Sequence, residues 1–350
     1  MPVSSMTLLM KACGFLTLIA LPLAAVSCRD KGNGAPHEAA SPGVDNEYQE
    51  MTAFYGETRQ FYNNRNFAKL EQLGDELRSS KAKFPSGEWK ILHFYTSLDC
   101  RDEEEDGMWQ LHEQIYKDWE SKFPKSITAR VSHARFMADY AWQARGSDYA
   151  GQVTEEGWRL FGERLATAHS ILDQSKSLAP CPLWWHTRLK VALGQSEKPA
   201  DFEALFQEAT KSEPQFFYFD QSRAYYLLPR WHGKVGDWEA VAESAIAREG
   251  GLGLETYARV VNEQSGFYDD VFKESKASWR KTKKGFDEML MRYPESREIL
   301  NVYCRLACLA DDRERAKELF QKIGPVPEAS CWRKKGNQFE RAKAWAMSER

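Results

Sequence analysis

The sequence predicts an all-α protein built from stacked helical hairpins. Three observations carry this expectation. Apolar residues recur at three- and four-residue spacing from Tyr48 to the end, no stretch alternates with period two for long enough to argue a strand, and five prolines each follow a large apolar residue by eight positions.

The five pairs are Leu77 with Pro85, Tyr116 with Pro124, Leu172 with Pro180, Phe206 with Pro214 and Phe286 with Pro294. Proline has no N–H and its ring clashes with the preceding turn, so each is predicted to end a helix. Returning helices then open at Trp89 to Tyr95, Ile127 to Tyr140, Leu183 to Leu193, Phe216 to Leu228 and Ile299 to Leu309. Three stripes mark faces expected to be buried: Trp158, Phe161, Leu165, Ala168 and Leu172; Trp238, Val241, Ala242, Ala245 and Ile246; and Phe272, Trp279, Phe286 and Tyr293. Breaks fall at Asp102 to Asp106, Gly146 to Gln152 and Gly250 to Gly253, and the acidic first of these reads as a solvated loop.

The aromatic, small and proline positions at Phe206, Ala209 and Pro214 resemble the second half of a tetratricopeptide repeat. The resemblance implies a tetratricopeptide-like helical-hairpin solenoid. Its repeats are irregular, because the prolines stand 39, 56, 34 and 80 residues apart. A helix pair cannot bury its apolar face alone, so residues 47–350 are expected to form a single all-helical repeat domain.

Composition excludes some functions. Lys and Arg total 48 against 51 Asp and Glu, a net charge of -3 with no strongly basic block, so nucleic acid is not an expected partner. Twelve Trp, 14 Tyr and 19 Phe supply ample core material.

The N-terminus speaks for export. Residues 12–26 form an apolar run after Lys11, closed by Ser27 and Cys28, so residues 1–27 have the outline of a signal peptide; the run is shorter than the roughly 20 residues needed to span a bilayer. Translation could begin at Met1 or at Met10. Leu23-Ala24-Ala25-Val26-Ser27-Cys28 resembles the lipobox of bacterial lipoproteins, with Ala25 where that family usually has Leu. The resemblance implies a multiply acylated Cys28 and a stable anchor in the cell envelope, on the periplasmic face, with Arg29 favouring the outer membrane. Secretion to the periplasm is the alternative. Residues 28–46, rich in Gly, Pro and Ala, read as a flexible tether with a root-mean-square reach of roughly 23 Å.

The most distinctive segment runs from 220 to 259. Tyr226-Leu227-Leu228-Pro229-Arg230-Trp231-His232-Gly233, Gly236-Asp237-Trp238-Glu239, Gly250-Gly251 and Tyr257-Ala258-Arg259 together resemble a bacterial family known only as a domain of unknown function. Much of the segment reads as helix punctuation. Pro229 stops one helix, Gly233 and Gly236 permit the turn, Asp237 caps the next helix, and Gly250 suits the left-handed position that ends it. Arg230, Trp231 and His232, with Asp220, Arg223 and Tyr226 upstream, remain as candidate binding residues. Trp185 joins them, because adjacent Trp184 and Trp185 cannot both face one core direction.

No catalytic motif is present. There is no GxSxG, P-loop or dinucleotide fingerprint, no HExxH and no histidine pair at i, i+4, so neither a cofactor nor a metal is signalled. No cysteines have CxxC spacing, although Cys304 or Cys308 could pair with Cys331 in an oxidising compartment; buried free thiols are the other possibility. The favoured expectation is a helical-repeat scaffold holding an envelope protein or peptide. The alternative is a glycan- or small-molecule-binding protein, or an envelope enzyme, with a pocket near Arg230-Trp231-His232.

Overall fold

The computed structural model describes residues 46–100, 104–147, 150–178, 181–332 and 338–348. The signal segment, Cys28 and all but the last residue of the tether lie outside the described residues, as do Asp102 and Pro180. The described residues form an all-α helical-hairpin fold, with a lone antiparallel bridge between Lys83 and Trp89. No helix among them is long and apolar enough to cross a membrane.

The chain begins with α1 (Asn46–Asn63), α2 (Phe67–Ser80) and the short α3 (Lys90–Thr96). It continues through α4 (Asp106–Lys122), α5 (Ile127–Arg145), α6 (Glu155–Ser175), α7 (Pro182–Gly194), α8 (Pro199–Ser212) and α9 (Tyr218–Tyr226). Then come α10 (Asp237–Ile246), α11 (Leu254–Gln264), the single turn α12 (Val271–Glu274), α13 (Trp279–Arg292), α14 (Arg297–Leu309), α15 (Arg313–Ile323) and α16 (Gln338–Met347).

Three of the prolines end their helices by one geometry. Phe123, Glu213 and Tyr293 precede Pro124, Pro214 and Pro294, with φ of -128°, -147° and -128° and ψ of 65°, 82° and 62°. The proline ring bars these residues from the α region. Each still donates its N–H to a carbonyl of the last helical turn, from Trp119, Ala209 and Met289 respectively. Chain reversal follows within a few residues, and Ser126 and Ser296 cap the returning α5 and α14 by accepting from Ala129 N and Ile299 N at 2.9 and 3.2 Å.

Pro85 departs from this pattern. α2 has already ended at Lys81 in the left-handed region (φ 52°), and Pro85 sits in a tight turn where Phe84 N donates to Glu88 O and Gly87 N to Phe84 O, both at 2.8 Å. The third apolar stripe is also corrected. Phe272 lies on α12 and Trp279 opens α13, with Ser275–Ser278 a break between them that Ser278 closes by capping Lys281 N. Their seven-residue spacing is met across two helices, ring edge to ring face at 5.4 Å. In the first stripe Phe161, Leu165, Ala168 and Leu172 are buried, but Trp158 is exposed and packs instead under the Arg145 guanidinium.

Helices α5, α7, α9 and α11 touch in succession as an inner row, with α6, α8 and α10 packed outside them. α5 buries 14 of its 19 residues, the signature of a helix surrounded on all sides. Buried apolar side chains form two groups, one from Tyr62 to Ala277 and one from Ala258 to Ala346. The groups meet on α11, whose Tyr257, Val260 and Val261 belong to the first and Ala258 to the second. Gly285 permits that junction, since a Cβ there would lie 2.2 Å from Leu254 O.

The N-terminal end folds back against the C-terminal part. Glu47 accepts from Ser86 N at 2.5 Å and from Ser296 Oγ at 2.9 Å, so one carboxylate joins α1, the 82–90 turn and the cap of α14.

Candidate functional site

The residues singled out in the 220–259 segment go to separate seams. Asp220 is fully buried and takes both its hydrogen bonds from Arg248, at 2.5 and 2.6 Å. Burial raises its carboxyl above the usual range, against the opposing pull of Arg248. Arg223 pairs with Glu203 at 2.8 Å and lies over Phe206. Tyr226 is sandwiched between Phe202 and His232, with ring centroids 3.7 and 4.3 Å away, and its hydroxyl donates to Glu197 O. Arg230 covers Tyr225 and Phe267, while Trp231 meets Trp142 edge-on. Trp185 stands edge-on to the buried Trp184 with Lys176 over its ring. These contacts join α9 and the turn after it to five neighbouring segments, and the site residues do not converge on one pocket.

The punctuation in that segment is partly as expected. Gly236 has φ 101° and Gly250 φ 69°, and a Cβ on Gly233 would sit 1.9 Å from Leu227 O. Asp237, however, is the first residue of α10 and not its cap; its carboxylate accepts from Lys234 N at 2.7 Å and holds the preceding turn. α10 ends at Ile246, so Gly250 shapes the following turn instead. Cys304, Cys308 and Cys331 are free thiols, Cys304 against Ala316 O and Cys331 against Glu298 O, each at 3.8 Å.

Charge converges elsewhere. On α11, Glu255, Arg259 and Glu263 recur at four-residue spacing, so they share one face, and that face meets the 82–90 turn. Glu255 is fully buried and is held by Arg259 Nε at 3.0 Å and by Arg292. Arg259 Nη2 donates to Ser86 O at 2.6 Å, and its guanidinium covers Phe217 at 4.3 Å. Beside this pair opens a cavity of about 170 Å³ whose polar wall includes Glu88, Glu263, Glu298, Asn262 and Tyr218. The buried Ser86 hydroxyl at its edge has no hydrogen-bond partner.

The three carboxyls differ. Burial opposes ionisation of Glu88, but His93, whose Nε2 is 2.7 Å away, and Arg259 hold it below its ordinary value. Tyr55 hydrogen-bonds the other His93 nitrogen at 2.9 Å and fixes the ring. Burial and then the charge of Glu88 push Glu263 up to about 7. Glu298 rises well above the usual range through burial and the charges of Glu88 and Glu47. Glu88 is therefore the readiest of the three to ionise, Glu298 is biased toward its protonated form, and Glu263 lies near its midpoint at neutral pH. Such a wall accepts hydrogen bonds from an ammonium or guanidinium group.

Of this set, Glu255 and Arg259 lie in the distinctive segment. The missed signal was the Glu255-Arg259-Glu263 stripe on a helix whose other face, Tyr257, Val260 and Val261, is apolar: charges on a helix buried on both sides demand partners. A second and larger cleft, about 440 Å³, lies between Tyr268, Asp311 and Trp345; it is more open.

Fold and cavity together define an all-α helical-hairpin protein with an acidic, arginine-braced cavity between the 82–90 turn, α11 and α14. No family model matches the chain, and no curated protein matches its sequence.

Proposed function

We propose that this chain is a binding protein: a tetratricopeptide-like scaffold that takes a basic group of a protein or peptide partner into the cavity between Glu88, Glu263 and Glu298. The observation that carries this reading is the convergence of three carboxyls, drawn from three distant parts of the chain, on one cavity with a single neutralising arginine already bound to Glu255. A lysine or arginine side chain supplies positive charge and donors to this wall, where His93 already engages Glu88, and the apolar side chains of Phe286, Met289 and Val302 suit its methylene stem.

The lipobox-like Cys28 supports display of this scaffold from an envelope membrane. Loss of labelled palmitate incorporation in Cys28→Ala tests that part alone.

For binding, a lysine-rich peptide and its fully acetylated counterpart are compared by thermal shift and calorimetry. The unmodified peptide should raise Tm and the acetylated one should not, and Glu263→Gln with Glu298→Gln should weaken binding about tenfold or more. Equal effects of the two peptides, or none from either, would sink the reading.

A further inference from the structure

We propose that Cys100, Glu104 and His112 form a site for a zinc-class divalent metal ion. The three lie where the loop after α3 meets α1 and α4, away from the acidic cavity. One ligand atom from each falls within 4.8 Å of the other two. Glu104 Oε2 stands 3.5 Å from Cys100 Sγ and 3.7 Å from His112 Nε2. Those are edges of a tetrahedron about a zinc ion, since bonds of about 2.0 to 2.3 Å set ligand atoms roughly 3.3 to 3.7 Å apart. A thiolate, an imidazole and a carboxylate are together the donor set of zinc, and a fourth position stays open for water.

The hydrogen bonding behind His112 supplies the second argument. Its Nδ1 is 2.9 Å from the hydroxyl of Tyr62, a fully buried side chain. The Tyr62 ring in turn packs against that of Tyr116, centroids 5.4 Å apart, and Tyr116 donates to Leu98 O at 2.9 Å. The buried hydroxyl of Tyr62 thus holds the imidazole with Nε2 facing the carboxylate of Glu104, an arrangement a cation completes.

The opposite oxygen of Glu104 is 3.8 Å from Arg59, whose Nη1 is anchored on Ser97 O and Asp99 O. Only Oε2 is thus turned toward the other two ligands. In the metal-free form the Cys100 thiol donates to Oε2. Metal entry replaces that proton, which leaves to solvent, and thiolate plus carboxylate then balance the two charges of the ion. Cys100 and His112 are buried, so a bound ion would pin Cys100 and Glu104 to α4.

Cobalt(II), added to the chelator-stripped full chain, is the probe. A thiolate-to-cobalt charge-transfer band, saturating at one ion per chain, is expected in the wild type and in Cys331→Ser, and its loss is expected in Cys100→Ser. Tyr62→Phe should bind roughly tenfold to a hundredfold more weakly, because the imidazole is no longer held in place. Absence of the band in the wild type, its survival in Cys100→Ser, or unchanged affinity in Tyr62→Phe overturns the proposal. Should Cys100→Ser lose its helical circular dichroism, Glu104→Gln at the half-buried position decides instead: affinity at least tenfold weaker supports the site, and unaltered affinity removes it.

Discussion

Arg259 reaches across 173 residues of chain to place its Nη2 2.6 Å from the carbonyl oxygen of Ser86. This contact and the Glu47–Ser296 hydrogen bond fasten the 82–90 turn against α11 and the start of α14. Gly87 makes the approach possible. Its φ is 79°, and a Cβ there would stand 2.5 Å from Tyr293 Cζ and 2.8 Å from Arg259 Nη2.

Gly87→Ala is therefore expected to loosen the junction and to cost about 2 to 4 kcal/mol, from backbone strain together with displaced side chains. Urea denaturation checks this. A midpoint equal to that of the parent protein would contradict it.

Glu263 gives stability a definite slope with pH. Its carboxyl titrates at about 7 in the folded chain against 4.5 as the ordinary value, so folding takes up a proton between those limits and stability falls as pH rises through them. Glu263→Gln, which needs no proton, should be more stable than the parent by about 1 to 2 kcal/mol near pH 8 and nearly equal to it near pH 4. The proposed basic ligand should reverse this, binding more tightly above pH 7 where Glu263 is ionised. Thermal melts at the two pH values, with and without the lysine peptide, measure both effects.

Asp220 depends on Arg248. The carboxylate is wholly buried and its bidentate partner is mostly so, and removing the arginine leaves an unpaired charge in the interior. Arg248→Ala is expected to cost about 3 to 5 kcal/mol, whereas the double replacement Asp220→Leu with Arg248→Met should recover most of that loss. A double variant no better than the single one would show that packing around Phe206, not charge pairing, dominates there.

The free thiols predict an order of reaction. Cys308 is partly exposed, while Cys181 and Cys304 are buried and their thiols are pushed up by that burial. Under native conditions alkylation should reach Cys308 well before Cys181 or Cys304. Mass spectrometry without reductant follows this; a Cys304–Cys331 or Cys308–Cys331 bridge, which blocks two sites even in denaturant, would be the contrary result.

Much of the helical frame was legible because its causes are local. Pro124, Pro214 and Pro294 restrict the residue before them whatever surrounds it, and the ends of α4, α8 and α13 follow. The stripe through Phe272 and Trp279 misled for the complementary reason: periodicity records which residues are apolar, not whether one helix joins them. The cavity was not legible, since Glu88, Glu263 and Glu298 meet only through the packing of segments far apart in sequence, which no short window contains. Asp220 and Arg230 drew attention because helix punctuation left them unexplained, yet each answers to a packing partner, Arg248 in one case and the rings of Tyr225, Trp231 and Phe267 in the other.

Because Glu88 and Glu298 stand far apart in sequence, only a fragment reaching from Ser86 to Val302 holds the whole cavity lining. Loss of the chain up to α4, or truncation before α14, would spare most hairpins yet leave the acidic wall missing a side. Peptide capture should therefore disappear abruptly in such trimmed forms, well ahead of any large fall in helicity.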